Sequence, residues 1–320
     1  PTDQAQAVPK VELTSIIPDE DIKKLPKDLQ ALDVSQEVLP DGTTISKMKF
    51  PKHDIGKVGA LGDKLVPAKG TLLFPADKKL VFKPNTWFLE RTERWSVLLA
   101  LHLWEIIFPE DFNVTEEMLI HTNNPTLKVR SLRFRNARLE GPLENLSHNP
   151  ELKSLDLTGT QLCKIDTYNT VFQDSPIIRV CIDEISQSDL KKLLATLKTC
   201  KNLAALRFDN SKLNSENLSK LCTLSKLSTL ELRNCGIDDR GLAALAKLNH
   251  LKRLHLGKAA LTAASVNTIK KMTDLRYLAL DLRNNPQLAA FLEREMTSRG
   301  GRFENTGESV PDYTDFLDAP

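Results

Sequence analysis

Several features that often reveal the class of a protein are missing from this 320-residue sequence. No run of about 18 apolar residues occurs, so the sequence predicts no membrane-spanning helix. The net charge is only +2, and such a small excess does not indicate a nucleic-acid partner. The motifs GxSxG, HExxH and GxxxxGKS/T are also absent. We therefore expect no catalytic residues, no metal site and no cofactor.

Cysteine is scarce, and its distribution is as informative as its number. The chain has five cysteines, with neither the paired spacing of a disulfide framework nor a CxxC metal-binding motif. An odd, scattered set predicts free thiols, which are typical of a reducing compartment such as the cytoplasm, although an exported or tethered form stays open. The positions are Cys163, Cys181, Cys200, Cys222 and Cys235.

Charge is unevenly distributed along the chain. Residues 188–275 contain 16 Lys and Arg against 7 Asp and Glu, whereas the segment from Pro286 onward contains 3 against 7. The basic stretch is interpreted first as a solvated, lysine-rich outer face, and the last part of the chain as an acidic tail.

Leucines return at a fixed interval in the second half of the sequence. Leu227, Leu251 and Leu275 are 24 residues apart, and the residues three and five positions after each are also apolar. Such a period is the signature of a repeat architecture. Copies of LxxLxL, with other apolar residues substituting, start at residues 129, 152, 177, 203, 227, 251 and 275.

Each copy predicts one strand and one helix. The alternation in xLxLx places the leucines on one face of a short strand. The following segment DDRGLAALAKLN has apolar residues at helical spacing, and Asp238 or Asp239 can cap the start of that helix. One such unit cannot bury its leucines alone, so stacked units must share a core.

This pattern, carried by segments such as LELRNCGIDDRGLAALAKL, resembles the leucine-rich-repeat family. It is most similar to the helix-backed, ribonuclease-inhibitor-like and 24-residue bacterial types, over roughly residues 129–290. The resemblance implies a horseshoe or arc with a parallel sheet on its concave side, and protein binding without catalysis. The family's usual Asn or Cys position is mostly held by other small residues here, at Ala137, Thr160, Ser211, Cys235 and Ala259.

The predicted fold class is therefore α/β, a leucine-rich-repeat solenoid preceded by a small β-rich unit and a capping helix. In the β-rich unit, Leu72–Phe74 and Leu80–Phe82 are expected to form a hairpin. The predicted divisions are a lead-in with a short helix (1–37), the β-rich unit (38–90), an N-terminal capping helix region (91–128), about seven repeats (129–285), and a C-terminal capping helix with an acidic tail (286–320).

The strand positions that alternate with the leucines are the candidate binding site. Arg supplies six of 21 such positions and Lys none. They are expected to form a ladder of solvated ion pairs, each contributing ~0–1 kcal/mol, or to bind a partner, and both roles can hold together. The candidate residues are Arg133, Arg135, Asp156, Arg179, Asp183, Arg207, Asp209, Glu231, Arg233, Arg253, His255 and Tyr277.

The favoured function is a non-enzymatic interaction module that binds a partner protein or an extended peptide on this charged surface. Two alternatives stay open. The chain can be the sensor or receptor arm of a larger signalling protein, or an effector whose activity resides in residues 1–128. Fold is predicted better than function, because repeat scaffolds host many partners.

The cysteine pattern gives the first testable prediction. Thiol counting under denaturing, non-reducing conditions should return five free thiols per chain, because no paired spacing supports a disulfide. A count of three or one would show disulfides and would place the protein in an oxidising compartment.

Overall fold

The computed structural model describes residues 19–123, 128–141, 143–160, 169–172 and 175–306. The chain divides into two compact units, residues 1–152 and residues 153–320. The division falls after the first predicted repeat rather than before it. No helix in the described ranges is long and apolar enough to cross a membrane.

Unit 1 begins with the predicted short helix and continues with strands, as expected for a β-rich segment. Strands β1, β2 and β5 form an antiparallel sheet in that order, while β3 pairs antiparallel with β4 and β6. The elements are α1 (Asp19–Lys24), β1 (Asp33–Val38), β2 (Thr44–Lys49), β3 (Gly56–Ala60), β4 (Val66–Pro67), β5 (Thr71–Pro75) and β6 (Leu80–Pro84).

The predicted hairpin between Leu72–Phe74 and Leu80–Phe82 is wrong. Both segments are strands, but β5 pairs with β2 and β6 pairs with β3. Each segment therefore joins a different sheet. The residues between them are compatible with a short turn, but each strand pairs with a strand that lies further away in the sequence.

The rest of unit 1 contains short helical and extended elements. Strand β6 pairs parallel with β7, β7 pairs parallel with β9, and β8 pairs parallel with β10. The elements are α2 (Thr86–Leu89), a 3₁₀ helix (Thr92–Leu101), β7 (Glu105–Ile107), β8 (Asn113–Val114), α3 (Glu116–Leu119), a 3₁₀ helix (Ile120–Asn123), β9 (Ser131–Arg133), β10 (Arg138–Leu139) and a 3₁₀ helix (Glu144–His148).

The predicted N-terminal capping helix over WSVLLALHLWEIIF is only partly helical. The helical turns end at His102, whose φ of 47° is left-handed. Strand β7 follows, with Ile106 level with Phe82 on one side and Leu132 on the other. Leu103, Ile106 and Phe108 are all buried. They form one more LxxLxL copy, 26 residues before the first copy recognised from the sequence.

Unit 2 contains a parallel sheet whose strands follow the chain order from β11 to β17. Leu206, Leu230 and Leu254 lie level on neighbouring strands. Each predicted strand centre lies in a strand, the first of them being β9 in unit 1. The strands are β11 (Ser154–Asp156), β12 (Arg179–Asp183), β13 (Ala205–Asp209), β14 (Thr229–Arg233), β15 (Arg253–Lys258), β16 (Tyr277–Asp281) and β17 (Arg302–Asn305).

Helices connect these strands. The helices predicted after the last four repeats are all present, and the last of them begins at Pro286 as expected. Asp238 caps the helix of the repeat quoted above, accepting a 2.7 Å hydrogen bond from the Gly241 amide. Strand β17 after the final helix is not predicted. The helices are α4 (Asn169–Phe172), α5 (Gln187–Leu197), α6 (Ser215–Leu221), α7 (Asp239–Leu245), α8 (Ala264–Lys271) and α9 (Pro286–Ser298).

Asparagine closes the turn after two strands of unit 2. Asn210 and Asn234 adopt left-handed φ values of 51° and 54° directly after β13 and β14, a conformation that Asn tolerates well. One residue later, the Cys235 thiol donates to the Phe208 carbonyl at 3.4 Å. A small side chain therefore occupies the family's usual Asn or Cys position, because it must fit and bond inside this turn.

Four cysteines fall within the described residues, and all four are free thiols. Cys181, Cys200 and Cys235 are buried, whereas Cys222 is half-buried. Burial raises the pKa of the Cys235 thiol to about 12. The prediction for Cys163 lies outside the described residues.

The shared core predicts the cost of removing one leucine. Leu230 and Leu254 are fully buried on adjacent strands. Leu230→Ala and Leu254→Ala should each lower the free energy of unfolding by roughly 2–5 kcal/mol, because each opens a cavity. Urea denaturation measures this loss, and unchanged denaturation midpoints would contradict the proposed packing.

Candidate functional site

Unit 2 aligns its candidate residues in three rows across the sheet. The inner face is defined here as the strand positions that alternate with the buried leucines. Row one contains Arg179, Ala205, Thr229, Arg253 and Tyr277, which are level on successive strands. Row two contains Asp156, Cys181, Arg207, Glu231, His255 and Ala279, and row three contains Asp183, Asp209 and Arg233.

Four charged side chains in rows two and three form an ion-pair network. Arg207 Nε donates to Asp209 Oδ2 at 2.8 Å and lies 3.9 Å from Glu231 Oε2. Arg233 Nη2 donates to the same Glu231 oxygen at 2.8 Å. Positive and negative groups therefore alternate from Asp209 through Arg207 and Glu231 to Arg233.

The expectation that these pairs are solvated is wrong. Arg207 is 4% exposed, Glu231 9% and Arg233 8%. Alternation along a strand determines which face a side chain occupies, but it does not determine how much water reaches that face. The long side chains lie against neighbours on the same and adjacent strands, about 4.8 Å apart. Removing one member would leave a buried charge unpaired, which typically costs 3–5 kcal/mol.

Burial also shifts the protonation equilibria of this network. It raises the pKa of Glu231, against the opposing effect of Arg233 and Arg207. It lowers the pKa of Arg233, partly offset by Glu231. His255 is 5% exposed, and burial together with Arg233 and Arg207 lowers its pKa to about 3. At neutral pH, His255 is therefore an uncharged member of a charged cluster.

Some polar atoms of the network have no hydrogen-bond partner among the described residues. These atoms are Nε and Nη1 of Arg233 and Oδ1 of Asp209, and all three are buried. An unsatisfied buried donor or acceptor typically costs about 1–3 kcal/mol. The network thus keeps polar atoms that are both buried and without a partner among the described residues, which lowers its net contribution to stability.

Half-buried residues border this buried network. Arg253 lies over the Tyr277 ring, with its guanidinium carbon 4.4 Å from the ring centre, and the Tyr277 hydroxyl donates to Glu304. On the opposite side, Asp183 Oδ1 accepts from the Gly159 amide at 2.6 Å. Arg179 is half-buried as well. These side chains are the parts of the inner face that a partner can contact directly.

Two of the candidate residues, Arg133 and Arg135, belong to unit 1. Arg133 and Arg135 are both half-buried. Arg133 Nη2 donates to Glu105 Oε2 at 2.9 Å, and the Ser131 hydroxyl donates to Glu105 Oε1 at 2.8 Å. Glu105 is fully buried and was missed from the sequence, because recognising it requires the extra repeat copy around Ile106.

Within the described ranges, no three or more His, Cys, Asp or Glu side chains are placed to hold a metal ion. Cys181 lies in row two beside Arg207, but burial and the nearby Asp156 raise the pKa of its thiol well above the ordinary value. A protonated, fully buried thiol is a poor nucleophile. Cys181 therefore functions as a small packing residue.

Comparisons with known proteins agree with the repeat assignment. Residues 223–246 match the family model described as Leucine Rich repeat, which is one period of the array. A search of curated protein sequences found no match. The register of the strands extends this single match to a leucine-rich-repeat solenoid, a scaffold that typically mediates protein–protein interaction.

Two solved structures are similar at low identity. One is an internalin (inlF) from Listeria monocytogenes, at 15% identity and a TM-score of 0.33, covering 68% of this chain and 77% of that chain. The other is human 5T4 (Wnt-activated inhibitory factor 1, Trophoblast glycoprotein), at 15% identity and a TM-score of 0.37, covering 60% of this chain and 76% of that chain. Both are too distant to indicate a function.

The lowered pKa of His255 predicts a pH dependence of stability. Between pH about 6.5 and about 3, the unfolded chain binds a proton at this residue and the folded chain does not. The free energy of unfolding should therefore fall as pH decreases, by ~2–3 kcal/mol from this residue between pH 7 and about pH 4.5. The raised pKa of Glu231 acts in the opposite direction.

Urea denaturation of His255→Gln at both pH values isolates this contribution. The variant should lose less stability on acidification than the unaltered chain. His148→Gln is the control, because His148 is exposed and its replacement should leave the pH dependence unchanged. Equal slopes for His255→Gln and the unaltered chain would contradict the buried, neutral assignment.

Proposed function

We propose that this leucine-rich-repeat protein is a non-enzymatic binding module that takes a partner protein or an extended peptide on the inner face of unit 2. The observation that carries the proposal is the half-buried pair of Arg253 and Tyr277, in which the guanidinium carbon lies 4.4 Å from the ring centre. A carboxylate or backbone carbonyl of a ligand can accept hydrogen bonds from the Arg253 guanidinium.

The chemistry of the border residues supports a protein ligand. Arg and Tyr are enriched in the centres of protein interfaces, whereas Lys is depleted there. The inner face follows that composition, since Arg179, Arg233 and Arg253 are arginines and Tyr277 is the aromatic group. Lysines are instead exposed on the other side of the repeats, as at Lys247 and Lys271.

The buried network supports the proposal through pre-organisation. Arg207 and Arg233 are already held by Asp209 and Glu231, so little side-chain entropy remains to be lost when a ligand arrives. The ion-pair network thus provides a fixed pattern of charges beneath the half-buried residues. The half-buried Arg253 and Tyr277 then supply most of the direct contact.

A reversal of Arg253 tests the proposal with least risk to the fold. Arg253 is half-buried, whereas reversal of Arg207 or Arg233 would leave buried carboxylates unpaired and would confuse lost binding with unfolding. Arg253→Glu should weaken binding at least tenfold, because like or misplaced charges across an interface cost several kcal/mol. The thermal midpoint should change little.

The measurement uses a partner recovered with the unaltered chain in stoichiometric amount, followed by titration calorimetry with each variant. Lys247→Glu is the matched control, an exposed charge reversal on the lysine-rich side, and should bind normally. If Lys247→Glu loses binding while Arg253→Glu keeps it, the lysine-rich side is the binding surface and the proposal is wrong.

A further inference from the structure

Two helix-to-strand turns of unit 2 form a cleft that contains no residue of the inner face. The turn 198–204 joins α5 to β13, and the turn 222–228 joins α6 to β14. The Ser228 amide donates to the Ala204 carbonyl at 2.8 Å and so holds the two turns beside each other. The cleft has a volume of about 360 Å³ and is lined by Lys198, Cys200, Lys201, Leu203, Thr223, Leu224, Ser225 and Lys226.

The charged groups that line this cleft are all positive. Lys198, Lys201 and Lys226 are exposed, and no Asp or Glu occurs in residues 190–208 or 217–230, the segments that contain the lining residues. Lys198 and Lys226 form no ion pair within the described ranges. A cleft lined by charges of one sign concentrates the electrostatic potential and attracts ions of the opposite sign.

The helix ends account for only part of this cluster. Lysines are favoured at the C-terminal end of a helix, where the backbone dipole is negative. That preference explains Lys198, which caps α5, and Lys220, which lies in the last turn of α6 and pairs with Glu216 at 2.6 Å. It does not explain Lys201 and Lys226, which lie in the turns beyond the helices. Their positions therefore favour a binding site.

A later helix-to-strand turn of the same array has a different composition. The turn before β16 contains Asp274, whose carboxylate lies 3.6 Å from Nδ1 of His250 in the preceding turn. The turns 198–204 and 222–228 contain no such carboxylate. The positive charge of the cleft is therefore a property of these two turns and is not a general feature of the repeat.

The lining residues indicate the kind of anion that fits. The lysine ammonium is a compact charge that commonly binds phosphate, whereas the arginine fork that matches carboxylates is absent from the lining. A phosphate monoester carries about −1.5 to −2 charges at pH 7, so two or more phosphate groups match three ammonium groups. The Ser225 hydroxyl has no hydrogen-bond partner in the described part of the chain and can donate to a phosphate oxygen.

We propose that this cleft binds an anion that carries two or more phosphate groups, held by Lys198, Lys201 and Lys226. The phosphate groups can belong to a soluble polyphosphate or to the headgroup of a phosphorylated lipid. Nucleic acid fits less well, because no aromatic side chain lines the cleft to stack on a base. The inference does not rest on the proposed function, since the cleft and the inner face share no residue.

The probe is inorganic tripolyphosphate, titrated into the full 320-residue chain by isothermal calorimetry. The double variant Lys198→Gln, Lys226→Gln should bind it at least tenfold more weakly, because two of the three ammonium groups are removed. The matched control is Lys247→Gln, Lys271→Gln, which removes the same net charge from two exposed lysines outside the cleft and should bind within twofold of the unaltered chain. Thermal midpoints should stay unchanged, because all four side chains are exposed.

Co-sedimentation with vesicles distinguishes the two sources of phosphate. The vesicles are made of phosphatidylcholine, with or without phosphatidylinositol bisphosphate. Binding that requires the phosphorylated lipid and is lost in Lys198→Gln, Lys226→Gln would support the proposal with a lipid headgroup as the ligand. Binding of tripolyphosphate without binding of either vesicle would support it with a soluble ligand.

The proposal is overturned if tripolyphosphate does not bind the unaltered chain. It is also overturned if the two double variants weaken binding equally, because the attraction would then depend on net charge alone. Binding of a single-stranded oligonucleotide without binding of tripolyphosphate would contradict it as well. None of these measurements uses a partner protein or alters the inner face, so their failure leaves the proposed function unaffected.

Discussion

The structure depends on one constraint, which is that no single repeat can bury its own leucines. Leu206, Leu230 and Leu254 are level on successive strands and fully buried, so each repeat completes the core of the next. That requirement determines the strand register, and the register in turn aligns the alternate positions in rows. The inner face is therefore a by-product of core packing, and its chemistry is free to vary.

The ion-pair network occupies alternate strand positions that core packing does not restrict to charged residues. Row two also contains Cys181 and Ala279, so uncharged small residues fit the same positions on neighbouring strands. Buried ion pairs are weak evidence for stability, because apolar replacements of similar volume are often as stable or more stable. The presence of Arg207, Glu231 and Arg233 in these positions is thus not explained by the stability of the fold alone.

The sequence predicts the strands of the repeats that have a regular period, but it predicts the rest of the chain only in part. The copies from Val129 onward predict their strands because apolar residues and spacing agree. The copy at Leu103 was hidden, since the apolar run WSVLLALHLWEIIF satisfies helical spacing equally well. Strand β17 was not predicted, because Phe303 is the one apolar residue between Gly301 and Asn305. Burial of Arg207 depends on the side chains of several strands together, which a one-dimensional pattern does not contain.

The pairing distance along the chain has a kinetic consequence. From β11 to β17, every parallel pair joins strands that are one repeat apart. Loop-closure entropy therefore stays small for each new pair, and contact order is low for a β-containing domain. Folding can nucleate in any neighbouring pair of repeats and propagate in both directions. A chain emerging from the ribosome can add one strand and one helix at a time to a growing edge.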